Sequence, residues 1–300
     1  MKHYRFGGLA VQSDLTLDGL VADDDTAADI DLTIRNGQVA EAEFDGENVS
    51  PGLSVNKSEA LVILDGARIL IRDGREMIVE TDSGLKGSIL QFFLFSEAMP
   101  IVMHQRGLIP LHAASFLTPD GEAVGLVGQS GMGKSTLIAK MMERGLRIIS
   151  DDIFIINAKG EQVLIQSSSP RLKLLRDTMD ITGRDTSVHQ QIGSPWSKYM
   201  VDMGSHYTEG QFPLKRLYFL HWSDAAISIS DTPVSRFECF QSVLAQVHYG
   251  RLPFMMGRDE DYLAELGHVA ATVPAFNFSR PSAIDQLDQS VDTLMAHLHD

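Results

Sequence analysis

The amino-acid sequence predicts an α/β fold in which a β-rich N-terminal module precedes a larger domain built around a glycine-rich loop. Three observations carry this prediction. Hairpin patterns dominate the N-terminal part, strands and helices alternate from Leu111 onward, and "AVGLVGQSGMGKSTLIAKMMERG" places a strand, a loop and a helix in succession. Such alternation is typical of a sheet covered by helices. We predict a β-rich module over 1–85, a linking helix over 86–107 and a catalytic domain over 108–300.

Two alternating segments in the N-terminal module predict hairpins. "ARILIRDGREMIVE" surrounds Asp73-Gly74, and "DIDLTIRNGQVAEAEF" surrounds Asn36-Gly37. Both dipeptides are strong hairpin turn signals. The linking helix follows from "SGLKGSILQFFLFSEAMPIVMHQRG", in which apolar residues recur at helical spacing before Gly107. A closing amphipathic helix is predicted over Ser282–His299.

Composition and length are those of an ordinary globular protein. The chain has 300 residues, of which 44% are hydrophobic and 22% charged. No apolar run approaches the roughly 18 residues that span a bilayer, and the N-terminus lacks the apolar core of a secretory signal. The single cysteine, Cys239, excludes an intramolecular disulfide framework. We therefore predict a cytoplasmic protein with no membrane partner.

The net charge of −15 is concentrated in the N-terminal part. Residues 1–100 contain 18 acidic and 8 basic side chains, and the remaining residues contain 22 and 17. An acidic chain without a basic stripe is a poor ligand for nucleic acid, so we expect no nucleic-acid partner. The acidic surface either serves solubility or attracts a positively charged peptide.

The glycine-rich segment Gly128–Ser135, "GQSGMGKS", matches the phosphate-loop pattern G-x-x-x-x-G-K-S/T at every fixed position. Its backbone amides and the N-terminus of the following helix form a nest for phosphate oxygens. In this interpretation Lys134 contacts the outer phosphates of a nucleotide and Ser135 holds Mg²⁺. The residues predicted to bind the nucleotide are Gly128, Gln129, Ser130, Gly131, Met132, Gly133, Lys134, Ser135 and Thr136.

His112 precedes the strand that leads back to this loop. "LHAASFL" and "AVGLV" flank the turn sequence Pro119-Asp120-Gly121, and an antiparallel hairpin would place His112 beside Gly128. A histidine there can contact a phosphate oxygen or tune a neighbouring carboxylate. The alternative is that it only satisfies a backbone group at the strand end.

Asp151 and Asp152 follow "LRIIS", the strand after the phosphate-loop helix. A strand–helix–strand crossover makes the two strands parallel, so we expect the aspartates on the strand beside the loop, at the edge where ligands of open α/β sheets bind. One of the two carboxylates would face Mg²⁺, directly or through water. The other would accept the proton of an attacking hydroxyl. A solvated turn or a helix cap is the alternative for such a pair.

The order "LHAASF…GQSGMGKST…RGLRIISDD" resembles the C-terminal catalytic domain of HPr kinase/phosphorylase and its relatives, which share a fold with phosphoenolpyruvate carboxykinase. The resemblance is specific over about forty residues. It implies a P-loop kinase core of the HPr kinase/phosphoenolpyruvate carboxykinase type, and it implies that Asp152 is the catalytic base for phosphorylating a serine. Asp151 would lie beside it as the carboxylate that faces Mg²⁺, with His112 near the transferred phosphate.

Three basic residues further along are candidate phosphate or substrate contacts. "SSSPRLKLLRD" is similar to a Pro-Arg-Leu-x-Leu segment of HPr-kinase-like proteins, which makes Arg171 and Lys173 candidates. "WSKYMVDM" adds Lys198. Guanidinium and ammonium groups both bind phosphate, but each of these residues could instead be a solvated side chain on a strand.

The sequence departs from the HPr enzyme in two respects. No Glu-x-Arg-Gly-x-Gly segment follows Asp152, which argues against the reverse, phosphorolytic activity and against HPr as substrate. The N-terminal module also differs. The arrangement looks more like the kinases that tailor ribosomally made peptides, including lasso-peptide precursors, by phosphorylating a serine.

The resemblance therefore implies an ATP- and Mg-dependent kinase acting on a serine of a peptide or protein. A small-molecule kinase and a non-catalytic, nucleotide-dependent peptide-binding module are the alternatives. The HPr enzyme is a hexamer, so a homo-oligomer is possible for this chain.

Overall fold

A computed structural model describes residues 1–23, 29–40, 44–85, 87–192 and 198–299. The chain forms two compact units. The first comprises Met1–Pro110 with His248–Ala264, and the second comprises Leu111–Val247 with Glu265–Asp300. Strands and helices both contribute, so the fold belongs to the mixed α/β class. Within the described ranges, no helix is both long enough and apolar enough to cross a membrane.

In the part of the chain that the structure describes, the first unit is built on one nine-stranded sheet. Its strands are β1 (Lys2–Phe6), β2 (Leu9–Ser13), β3 (Val21–Ala22), β4 (Leu32–Asn36), β5 (Glu47–Ser50), β6 (Leu53–Val55), β7 (Glu59–Leu64), β8 (Ala67–Arg72) and β9 (Glu76–Thr81). Their order across the sheet is β3-β1-β2-β4-β9-β8-β7-β6-β5. The β-rich character predicted for this segment is confirmed.

The hairpin predicted around Asp73-Gly74 is confirmed. Strands β8 and β9 pair antiparallel, with Arg72 opposite Glu76. Asp73 and Gly74 have φ angles of 51° and 61°, in the left-handed region that tight hairpin turns require.

The hairpin predicted around Asn36-Gly37 is wrong. Strand β4 pairs parallel with both β2 and β9. The backbone N–H of Gly37 donates to Val79 O, and that of Val39 donates to Glu80 Oε2. After Asn36 the backbone therefore continues beside β9 instead of turning back to pair with β4. Residues 41–43 of the predicted second strand lie outside the described residues.

The predicted linking helix is present and belongs to the first unit. The ring of Phe95 stacks on Phe6, with their centroids 6.2 Å apart. Residues 248–264 also belong to the first unit. The predicted bounds of the module, the linking helix and the catalytic domain stay predictions. The helix consists of α1 (Gly87–Phe93), a π-helical turn (Leu94–Ala98) and α2 (Met99–Gln105).

The second unit contains a sheet of mixed direction and a smaller sheet. The strands that follow α2 are β10 (Ile109–Leu111), β11 (Ala113–Leu117), β12 (Ala123–Val127), β13 (Ile148–Ser150), β14 (Phe154–Asn157), β15 (Leu164–Gln166), β16 (Arg171–Leu175), β17 (Gln190–Ile192), β18 (Lys198–Asp202), β19 (Gln211–Trp222), β20 (Ser228–Ile229) and β21 (Ala275–Arg280). In the main sheet, neighbours follow the order β14-β15-β19-β12-β11-β13, and β21 pairs with β19 and β20. Strands β16, β18 and β17 form the smaller sheet.

Two helices of the second unit contribute to its core. Leu137 and Ile138 of α3 (Lys134–Glu143) are buried in one cluster with Val291 and Leu294 of α8 (Leu287–His299). An ion pair between Arg144 Nη2 and Asp288 Oδ1, at 2.7 Å, also connects these two segments. The other α-helices in the described ranges are α4 (Arg176–Ile181), α5 (Arg236–Leu244), α6 (Leu252–Met255) and α7 (Asp259–Thr272).

The strand directions bring several strand ends to one edge of the main sheet. Strands β11 and β12 form the predicted antiparallel hairpin, with Ala113 opposite Val127. Strand β13 pairs antiparallel with β11 and therefore runs in the same direction as β12. The expected direction of β13 is confirmed, but its expected place beside β12 is wrong, because β11 lies between them. Strands β19 and β21 also run parallel to β12.

Candidate functional site

The glycine-rich loop joins the end of β12 to the start of α3. Gly131 and Gly133 have φ angles of 89° and 74°, which side chains with a Cβ rarely adopt. Gly133 also has no room for a side chain, because a Cβ there would lie 2.2 Å from Arg280 Nη2. Helix α3 begins at Lys134, so its first amides face the loop without intrahelical acceptors.

The side chain of Lys134 folds back onto the loop. Its Nζ donates to Gly128 O at 2.6 Å and to Gln129 O at 3.2 Å. Lys134 is buried. Burial lowers the pKa of Lys134 to about 8, although the nearby charges of Asp151 and Asp152 act in the opposite direction.

Asp151 contacts the first turn of α3. Its Oδ1 accepts a hydrogen bond from Ser135 Oγ at 2.8 Å, and its Oδ2 accepts one from the backbone N–H of Lys173 at 3.0 Å. Burial, and secondly the charge of Asp152, raise the pKa of Asp151.

The carboxylate of Asp152 lies between the ammonium group of Lys173 and the imidazole ring of His112. Its Oδ2 accepts a hydrogen bond from Lys173 Nζ at 2.5 Å, and its Oδ1 lies 3.3 Å from His112 Nδ1. Burial alone would raise the pKa of this carboxyl, but the charge of Lys173 and the hydrogen bond from His112 hold it well below its usual range. Asp152 also has a φ of 73°, a conformation that costs energy in a residue other than glycine and is concentrated at functional sites.

The hypothesis that His112 tunes a carboxylate agrees with this geometry, since its ring lies against Asp152. Its backbone N–H is separately bonded to Gln246 O at 2.7 Å. A contact between His112 and a phosphate stays a prediction.

These residues surround a pocket of about 370 Å³ within the second unit. The predicted site residues that line it are His112, Ser130, Gly131, Gly133, Lys134, Ser135, Thr136, Asp151, Asp152, Lys173 and Lys198. Gly128, Gln129 and Met132 of the loop are not among its lining residues. The carbonyls of Gly128 and Gln129 accept hydrogen bonds from Lys134 Nζ. Arg171 is also absent from its walls; its Nη1 pairs with Asp202 Oδ2 at 2.9 Å.

One aromatic and one cationic side chain in the pocket were not predicted from the sequence. Arg280 and Trp222 both line it, at the carboxyl ends of β21 and β19, and the register places them directly opposite each other. Neither belongs to a recognisable motif. Only the strand order, which brings these ends next to the loop, could have identified them.

The residues present suit a magnesium ion bound with phosphates. Mg²⁺ prefers oxygen ligands and usually takes one or two carboxylates, with substrate phosphates and water completing its shell. Ser135 Oγ and the buried Asp151 carboxylate offer such oxygens 2.8 Å apart. Among the described residues, no group of three or more His, Cys, Asp or Glu side chains could hold a metal by themselves.

Comparison with known proteins finds local similarity to one family. HPr kinase/phosphorylase from Prosthecochloris aestuarii is 43% identical over 63 residues, which are 21% of this chain and 18% of that protein. The protein of the same name from Chlorobium phaeobacteroides is 49% identical over 49 residues, covering 16% and 14%. The one from Exiguobacterium sp. is 36% identical over 78 residues, covering 25% and 24%. The matches thus span less than a quarter of these relatives' length.

No protein-family model matches the chain. The structure of the Hpr(Ser) kinase/phosphatase from Coxiella burnetii aligns with 63% of this chain and 90% of that one, at 10% identity and a TM-score of 0.35.

Proposed function

We propose that this chain is an HPr-kinase-like, ATP- and Mg-dependent kinase that transfers the γ-phosphoryl group to a serine hydroxyl of a peptide or protein. The observation that carries the proposal is the position of Asp152. This carboxylate lines the same pocket as the phosphate loop and is kept ionised by Lys173 and His112. The local similarity to HPr kinase/phosphorylases from three organisms supports the same reaction class.

Positive charge at the loop would stabilise the transferring phosphoryl group. Lys134 Nζ can exchange its two carbonyl acceptors for phosphate oxygens, which are stronger acceptors because they are charged. Lys198 lies close enough that its charge contributes to lowering the pKa of Lys134. When bound, Mg²⁺ would neutralise charge on the phosphates, and Ser135 and Asp151 are the residues that would hold it.

The acceptor reaction requires an ionised, oriented carboxylate. As the serine oxygen bonds to the γ-phosphorus, the bond from that phosphorus to the bridging oxygen breaks, ADP leaves, and Asp152 takes the hydroxyl proton. A carboxylate of low pKa is a weak base. In phosphoryl transfer, however, positioning and electrostatics contribute more than proton abstraction, and two contacts fix the orientation of Asp152.

Among serine-containing acceptors, we favour a ribosomally made precursor peptide, such as a lasso-peptide precursor. The missing Glu-x-Arg-Gly-x-Gly segment and the acidic N-terminal part support this choice over HPr. Among the residues that the structure describes, strands β3 and β5 are the edges of the first unit's sheet, and an extended peptide can add to such an edge. We further propose a cytoplasmic enzyme, which could act as a homo-oligomer.

Mass spectrometry of reaction products tests the proposal. The chain is incubated with ATP, Mg²⁺ and either serine-containing precursor peptides or a pool of small hydroxyl metabolites. We expect a peptide about 80 Da heavier, with the phosphate on serine. A phosphorylated metabolite would support a small-molecule kinase instead. Peptide binding that needs nucleotide but yields no product would support a non-catalytic binding module.

Nucleotide affinity is expected to fall as the pH rises from 7 to 9. The pKa of Lys134 is lowered to about 8, so the ligand-free site loses this charge in that range, whereas bound phosphates would keep the lysine protonated. Linkage predicts a roughly tenfold loss of affinity for ATP. Calorimetry at several pH values measures it, with Lys134→Met as the control. If Lys134→Met showed the same pH dependence, another group would be responsible.

A further inference from the structure

Arg280 has an unusual environment at the wall of the pocket. Its side chain is 3% exposed, and its guanidinium carbon lies 4.4 Å from the centre of the Trp222 ring. Burial lowers the pKa of Arg280 to about 10. Its Nε is buried and has no hydrogen-bond acceptor among the described residues. Burying such a cation costs free energy of folding unless an anion or hydrogen-bond acceptors compensate its charge.

The guanidinium of Arg280 is hydrogen-bonded to the backbone of the phosphate loop. Its Nη2 donates to Met132 O at 3.0 Å and lies 3.4 Å from Gly133 O. Lys134 holds the carbonyls of Gly128 and Gln129 at the other end of the loop. Because a trans peptide is planar, with its C=O and N–H in opposite directions, the amides of Gly133 and Lys134 must point away from Arg280. They are the amides at the start of α3, where an anion is favoured.

We propose that Arg280 is a positioning residue for phosphate binding. Stacked on Trp222, it holds the carbonyls of Met132 and Gly133, which keeps the following amides turned toward an anionic ligand. Its positive charge adds to the field at the same helix end. This inference rests on the phosphate-binding part of the proposed function and does not depend on transfer to serine.

The chain offers a matched control in Arg216, on β19. Its guanidinium also lies over an aromatic ring, 5.7 Å from the centre of Phe276, and also donates to a backbone carbonyl, His297 O at 2.5 Å. Arg216 does not line the pocket. Arg216→Gln therefore removes similar packing from the same unit without touching the loop.

The test is calorimetric binding of Mg·ATP and of Mg·tripolyphosphate to the full chain and its variants. We expect Arg280→Gln to weaken both ligands about tenfold or more, as for loss of a hydrogen bond from a charged donor. Arg280→Lys should recover part of the affinity, and Arg216→Gln should leave it unchanged. Unchanged affinity in Arg280→Gln, or equal losses in the two glutamine variants, would overturn the proposal.

A second variant covers the case in which Arg280→Gln does not fold. Trp222→Leu removes the ring beneath the guanidinium and no polar group of the loop, and it should weaken both ligands several-fold. Unchanged affinity in Trp222→Leu would then overturn the proposal. Phosphoryl transfer to serine peptides is measured separately. Arg280-dependent binding without transfer would refute only the kinase, whereas transfer with Arg280-independent binding would refute only this inference.

Discussion

Replacing Asp152 with Asn is expected to reduce phosphoryl transfer by about 10²- to 10⁴-fold, the contribution typical of a positioned general base. Nucleotide affinity should stay the same or rise, because the substitution leaves the Lys173 charge, which Asp152 now neutralises at 2.5 Å, available to phosphate. Product formation under saturating ATP and calorimetric nucleotide binding measure the two effects separately.

The matched control for this substitution is Asp177→Asn. Asp177 lines the same pocket, in the first turn of α4, and the proposed mechanism gives it no role. The Asp177→Asn variant should therefore lose far less phosphoryl-transfer activity than the Asp152→Asn variant. Equal losses in the two variants would mean that general pocket charge, rather than a base at Asp152, accounts for the effect.

Replacing Lys173 with Met should destabilise the second unit by about 3 kcal/mol, because breaking a largely buried ion pair leaves an uncompensated charge. The Lys173 and Asp152 side chains are only 12% and 16% exposed. Without the lysine, Asp152 loses one of the two contacts that hold its carboxyl ionised, so transfer should also fall. Urea unfolding followed by Trp222 fluorescence, in a Trp196→Phe background, measures the free energy of unfolding.

The loss of stability in Lys173→Met is expected to be larger at neutral pH than in acid. In the wild-type chain the pKa of Asp152 is lowered, so its stabilising contribution is present above the unfolded pKa of about 3.9 and is lost as the pH falls below it. The effect of Lys173→Met should therefore be largest near pH 7 and shrink below about pH 4. Adding Asp152→Asn to Lys173→Met should recover part of the lost stability. Additive losses in the double variant would contradict the ion pair.

The parts of the fold that local rules govern could be predicted from the sequence. The turn at Pro119-Asp120-Gly121 fixes the hairpin register, and this register places His112 at the mouth of the loop. The spacing from the loop to Asp151 and Asp152 allows only one short helix and one short strand, so both aspartates return to the same sheet edge. Their close spacing in the chain thus has a geometric cause.

Features that depend on long-range pairing could not be predicted. Asn36-Gly37 has the local signature of a hairpin, but hydrogen bonds to β9 outweigh it. The insertion of β11 between β12 and β13 follows from sheet order, which local pattern does not encode. Arg280 lies 128 residues beyond Asp152 in the chain and reaches the loop only because β21 pairs with β19. Lys173 was a candidate phosphate contact, and its pairing with Asp152 required the three-dimensional structure.

The most direct test of the central claim is transfer of a labelled γ-phosphoryl group from ATP to serine peptides, by the wild-type chain and Asp152→Asn side by side. The account predicts labelled phosphoserine with the wild-type chain and little or none with Asp152→Asn, while both bind Mg·ATP. It would be contradicted by undiminished phosphoserine formation in Asp152→Asn. It would equally be contradicted if a wild-type chain that binds Mg·ATP labelled none of a comprehensive set of serine peptides.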